Sequence, residues 1–104
     1  MEEYRVEKWT GPSPPQAGDL TRRMRAEGYN VFQWSDGVGA VYPDHEHSDH
    51  QSHWVISGVL ELNIRGFGKV ALKPGDRDFM PAGTVHSARV IGNEPVLYLI
   101  GAKD

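Results

Sequence analysis

The stretch DHEHSDHQSH, residues 44–53, carries four of the chain's five histidines. Imidazole is a metal ligand, a base near neutral pH and a proton relay, so spacing must choose among these roles. His45 and His47 stand two apart, and on extended chain both rings leave one face while Glu46 leaves the other. Gln51 and His53 repeat that parity a few residues on. The fifth histidine, His86, lies 33 residues beyond His53, where only folding can bring it near. His50 has the opposite parity and, with Asp44, Glu46 and Asp49, reads as part of a solvated loop. The chain has no cysteine, which excludes disulfides, zinc fingers, iron–sulfur clusters and a thiol nucleophile. Any metal must be held by nitrogen and oxygen.

The setting is that of a small acidic protein. At 104 residues the chain is expected to form a single domain. A net charge of -3 and a pI near 5.9 offer no basic stripe to nucleic acid. No segment approaches the roughly 20 apolar residues that span a bilayer, so no membrane partner is expected. The start, MEEYRVEKWT, lacks the basic and then apolar run of a secretion signal, so a cytoplasmic location is expected. No G-x-S-x-G, P-loop or dinucleotide glycine pattern is present.

These side chains need a frame to hold them. QAGDLTRRMRAEGYN is the one convincing helix, over Ala17–Glu27: Asp19 can cap it, Leu20 and Met24 share a stripe with Ala17, and Gly28 ends it. Residues 1–28 thus comprise an N-terminal strand, a proline-rich connector and this helix, and residues 29–104 a barrel. From Tyr29 onward the chain breaks into short runs rich in Val, Ile, Trp and Tyr. Strands are expected near Val31–Trp34, Val38–Tyr42, His53–Ser57, Val59–Ile64, Lys69–Leu72, Asp78–Met80, Ser87–Val90 and Val96–Ile100. Leu60, Leu62 and Ile64 alternate with Val59, Glu61 and Asn63, and RGFGK turns that strand back as a hairpin. Many short strands and one leading helix describe an all-β antiparallel barrel or jelly roll. Trp34, Trp54, Tyr42, Phe79 and Met80 are expected in its core. Asp76, Arg77 and Asp78 read as an exposed polar latch in a turn, with no function attached.

The spacings resemble those of the cupins. Their first motif runs glycine, five residues, H-x-H, three or four residues, glutamate, six residues, glycine; here stand Gly39, His45 and His47, Gln51 and Gly58. Their second runs glycine, five residues, P-x-G, two residues, histidine, three residues, asparagine; here stand Gly75, Pro81, Gly83, His86 and Val90. Eight positions agree between Gly39 and His86. Gln51 departs from the glutamate and Val90 from the asparagine. The resemblance implies a jelly-roll fold, one divalent transition metal ion (iron, manganese, nickel or zinc) held by His45, His47, Gln51 and His86, and a homodimer formed through strands near the chain ends.

Ligand chemistry agrees with that implication. Three neutral imidazoles and one amide oxygen would leave a divalent ion's double charge uncompensated, making it a strong Lewis acid with open positions. His53 competes with Gln51 for the fourth position, or serves beside the ion as base or proton shuttle, the catalytic role expected of it. The function expected is a small metal-dependent oxidoreductase of dioxygenase type, acting on a small chelating, enolic or anionic molecule. The alternatives are a non-catalytic module that senses a metal or small ligand, and a metal-dependent isomerase or lyase.

Overall fold

The computed structural model describes residues 3–104; Met1 and Glu2, part of the expected N-terminal strand, lie outside the described residues. Its elements, in chain order, are β1 (Arg5–Glu7), α1 (Ala17–Ala26), β2 (Asn30–Asp36), β3 (Val41–His45), β4 (His50–Ser57), β5 (Val59–Ile64), β6 (Gly68–Leu72), β7 (Arg77–Phe79), β8 (His86–Ile91) and β9 (Val96–Lys103). The strands form two antiparallel sheets, one of five in the order β1-β7-β4-β9-β2 and one of four in the order β3-β8-β5-β6. This is the jelly roll expected from the sequence, built as two facing sheets.

Alternation along the strands makes two apolar layers. Val55, Leu60, Leu62, Ile64, Leu72, Val90, Val96 and Tyr98 fill the space between the sheets with Met80. On the outer side of the five-stranded sheet, Leu20 and Met24 of α1 pack with Tyr29, Trp54 and Leu99. Burying each of the two helical side chains stabilises the fold by about 1.5–3 kcal/mol. Strand β9 is therefore covered on both faces, Tyr98 turned inward and Leu99 toward the helix. At Gly101 a Cβ would stand 2.5 Å from Met24 Cε and 3.0 Å from the Tyr29 ring, so a larger residue would require these side chains to shift.

The helix begins one residue after Gln16, whose side chain makes no capping bond. Asp19, expected as the cap, sits instead in the first turn and pairs with Arg22. Gly28, at φ 98°, ends the helix as expected.

The strand expected at Val38–Tyr42 lies three residues later. Ala40 N–H donates to Gly37 O at 3.1 Å, closing a turn where strand was expected, and Gly39 turns at φ 78°. Pro43 is tolerated because β3 is an edge strand with a register irregularity between Tyr42 and His45. The shift carries the strand as far as His45.

Two expectations about burial are corrected. Trp54 and Met80 are core, but Trp34 is 50 % exposed, because β2 is the outermost strand of its sheet. Tyr42 and Phe79 are half-buried rather than core. Asp76, Arg77 and Asp78 are not an exposed latch: all three are buried. Arg77 lies between the Trp54 and Phe79 rings, 4.2 Å from each, and donates to both carboxylate oxygens of Glu27 at 3.1 and 2.9 Å. Glu27, at the end of α1, and Ser52 of β4 satisfy a guanidinium that the sequence pattern assigns to a turn.

Candidate metal centre

His45, the last residue of β3, is the register partner of His86, the first of β8. Their ring centroids stand 4.2 Å apart. His47, two residues past His45 and just beyond the strand, completes the group at 4.9 Å from His45 and 5.3 Å from His86. One ring nitrogen from each of the three lies within 4.8 Å of the other two.

The rings are held by the backbone. His45 Nδ1 lies 2.7 Å from Pro43 O and His86 Nδ1 2.9 Å from Thr84 O. A carbonyl only accepts, so each Nδ1 carries the proton and each Nε2 keeps a free lone pair. Burial, reinforced by the neighbouring histidines against an opposing hydrogen bond to Thr84, pushes the His86 pKa down to about 4. Burial and the neighbouring His45 and His53 also lower that of His47, with Asp49 opposing. Neutral imidazoles with converging lone pairs are the donor set that a first-row divalent ion requires, so these residues fit a metal.

Gln51 and His53 come from β4, in the other sheet, and line the same cavity. The Gln51 amide donates from Nε2 to Asp49 Oδ1 at 3.3 Å, and that bond does not use the amide oxygen. The His53 ring stands 6.4 Å from that of His86, set back from the trio. Its Nδ1 is 3.0 and 3.1 Å from the two oxygens of Asp78, and its backbone N–H donates to Asp78 Oδ1 at 2.7 Å. Burial alone would lower the His53 pKa, but the charge and hydrogen bond of Asp78 outweigh it and the direction is up. Asp78, with no exposed surface, also accepts from the Tyr4 hydroxyl at 2.9 Å.

His50 is not in a solvated loop. It opens β4, half-buried, and its Nδ1 accepts the Ala82 N–H at 3.1 Å, apart from the trio. Asp44 and Glu46 are exposed as expected.

Sequence reasoning missed Asp78, Trp34, Asp36 and Tyr98. For Asp78 a signal existed: it shares strand parity with Met80, a core residue, so an inward carboxylate was readable. Trp34 and Tyr98 line the cavity, about 540 Å³ in volume, whose walls include Leu60, Leu62, Ala88 and Ile100, and Asp36 accepts hydrogen bonds from both. No lysine, arginine, aspartate or glutamate is among the described residues that line it. With neutral histidines at its floor, the cavity suits a ligand that offers donor atoms to an ion and apolar surface to the walls.

Comparison with known proteins agrees with this geometry. A family model described as Cupin domain matches residues 33–100. Quercetin 2,3-dioxygenase of Bacillus subtilis is 36 % identical over 69 residues, covering 65 % of this chain and 20 % of that protein. Dimethylsulfoniopropionate lyase DddQ of Ruegeria pomeroyi is 30 % identical over 63 residues, covering 61 % and 31 %. The crystal structure of that lyase superposes with a TM-score of 0.67 at 25 % identity, over 73 % of this chain and 38 % of the other. A DUF861-family protein from Thermotoga maritima, 16 % identical, shares the fold across 97 % of this chain and all of its own, at a TM-score of 0.63. The chain spans between a fifth and a third of the length of the curated relatives it matches.

Proposed function

The chain belongs to the cupin family, and from that premise we propose that it is a metal-dependent enzyme of dioxygenase type, acting on a small chelating or enolic substrate. The observation that carries this reading is the His45–His47–His86 trio, with ligand nitrogens within 4.8 Å of one another and the His45 and His86 rings anchored to backbone carbonyls. These three and the Gln51 amide oxygen would hold the ion. Bound there, a divalent iron, manganese, nickel or zinc ion would supply Lewis acidity and open coordination positions.

The protein's own groups do the rest. The Asp78 carboxylate takes the Nδ1 proton of His53 as its hydrogen-bond donor, which leaves Nε2 to accept a proton from a substrate hydroxyl in the cavity. A carboxylate behind an imidazole accompanies both ligands and bases. The 6.4 Å between the His53 and His86 rings favours the base. Protein loaded in turn with iron, manganese, nickel and zinc, then screened for oxygen uptake with enediols, diketones and catechols, should turn over at least one; failure with every metal overturns the reading.

The buried His53–Asp78 pair also favours a second reading, a lyase in which His53 removes a proton from carbon and a leaving group departs from the neighbouring carbon. Product formation without oxygen uptake distinguishes it.

A further inference from the structure

The cavity that ends at the histidines is a slot with unlike walls. From the five-stranded sheet, Phe32 and Trp34 of edge strand β2 line it, 60 % and 50 % exposed. From the four-stranded sheet come Leu60, Leu62 and Ala88. A half-exposed tryptophan on an edge strand has no packing reason to keep one position, yet this one is tethered. Its Nε1 donates to Asp36 Oδ1 at 3.1 Å and lies 3.4 Å from the Tyr42 hydroxyl. The same carboxylate accepts from Tyr42 at 2.6 Å and from Tyr98 at 3.0 Å. One aspartate thus ties β2, β3 and β9 together at the mouth and holds an indole that still has half its surface free.

We propose that Trp34 is the specificity-determining wall of the cavity and that it selects a flat aromatic chelator: a ring bearing adjacent oxygen donors, the donors at the histidines and the ring laid in the slot against the indole. This rests on the metal reading of His45, His47 and His86. A volume near 540 Å³ far exceeds what a two-carbon chelator fills, and the surplus space is bounded by aromatic and aliphatic surface without charge. Rings gathered around a carboxylate can also receive an onium cation. Both oxygens of Asp36 are already engaged by hydroxyl and indole donors, which favours the neutral ring. Asp36 is a positioning residue for Trp34.

The test titrates zinc-loaded protein by calorimetry with 2,3-dihydroxynaphthalene, oxalate and glycine betaine, zinc content being measured on each sample. The dihydroxynaphthalene should bind tightest. Trp34→Ala should weaken it by roughly threefold to tenfold and leave oxalate unchanged, and Trp34→Phe should restore most of the loss. Equal loss for every ligand, no loss, or tightest binding of betaine overturns the proposal. Protein that takes up no zinc defeats the metal reading instead. In that event 2-naphthol, a flat ring that cannot chelate, titrated into metal-free protein decides for the wall: it should bind and weaken in Trp34→Ala, and indifference to the substitution overturns the assignment.

Discussion

His45 and His86 face each other across the β3–β8 pair as register partners, their rings 4.2 Å apart. The ladder that builds the four-stranded sheet therefore also builds the candidate metal centre. Two of its three imidazoles are placed by strand pairing, and the third follows two residues along the chain. No separate loop has to fold to bring His86 to the cluster.

Replacing His45 with alanine should consequently empty the centre without unfolding the protein. His45 is half-buried at a strand end, its ring anchored only to Pro43 O, so the expected cost is about 1 kcal/mol, or a Tm shift of about 4–8 °C. Metal content measured by elemental analysis should fall to background while circular dichroism stays that of the β fold. Loss of the fold would assign His45 a structural role.

Metal-free protein should lose stability on mild acidification. An unfolded histidine takes a proton near 6.5, whereas His86 in the fold takes one only near 4. Between those values the unfolded chain binds more protons than the folded one, so stability falls as pH drops from about 6.5 to about 4 and levels off below. His47, also lowered, adds to the same slope. His53 acts oppositely: its raised pKa gives stability that is full below 6.5 and lost as pH rises through the folded value. Thermal melts of wild type and His86→Asn across this range should differ in slope below 6.5, and parallel curves would refute the assignment.

Much of this site was legible from residue spacing. H-x-H parity, the matched parity of Gln51 and His53, and the count from Gly75 to His86 depend on strand period and turn geometry, which are local. What escaped depends on which strand lies beside which. Asp78 reads as a turn acid until β7 is found between β1 and β4, where its carboxylate meets His53 and Tyr4. Trp34 reads as core until β2 proves to be an outer strand, and β3 begins late because Gly37–Gly39 forms a turn whose strand-like Val38 gives no warning.

Asp78→Asn tests the proton-transfer role of the pair. The amide can still accept the His53 backbone N–H but no longer supplies the charge that raises the ring's pKa, so that pKa should fall. If His53 is the base of the proposed reaction, turnover by the metal-loaded protein should drop about tenfold to a hundredfold with metal content retained. Nitrogen NMR of the His53 ring in the metal-free protein reads the pKa directly, and an unmoved titration rejects the coupling.

The Glu27–Arg77 pair should be worth more than a surface ion pair, although Glu27 is partly exposed. Arg77 is 2 % exposed, so removing Glu27 strands a buried guanidinium between two rings with only Ser52 Oγ as a side-chain acceptor. Glu27→Ala should cost about 3 kcal/mol, near the lower end for breaking a buried pair. Asp19→Ala, which breaks an exposed pair on the helix, should cost about 0.5 kcal/mol or less. Urea melts of the two variants give the comparison, and equal costs would show that Arg77 reaches solvent when unpaired.

The fourth ligand is decided by two substitutions that pull apart. If the Gln51 oxygen binds the ion, Gln51→Glu adds a negative charge to three neutral imidazoles, so affinity should rise while Lewis acidity falls. The gain should be about tenfold or more, offset in part by repulsion from Asp49, which now accepts from the Gln51 amide at 3.3 Å. His53→Ala should leave metal content near that of wild type and remove proton transfer, since its ring is set back 6.4 Å from His86 and turned to Asp78 on one side. If His53 is the ligand instead, His53→Ala must release metal as readily as His47→Ala, and Gln51→Glu should alter affinity only slightly. Metal titrations of the three variants, compared with wild type at one pH above the titration of every ring, separate the cases. Gln51 is the expected ligand because its count of six residues to Gly58 matches the glutamate of the motif, while the His53 ring stands 6.4 Å from that of His86.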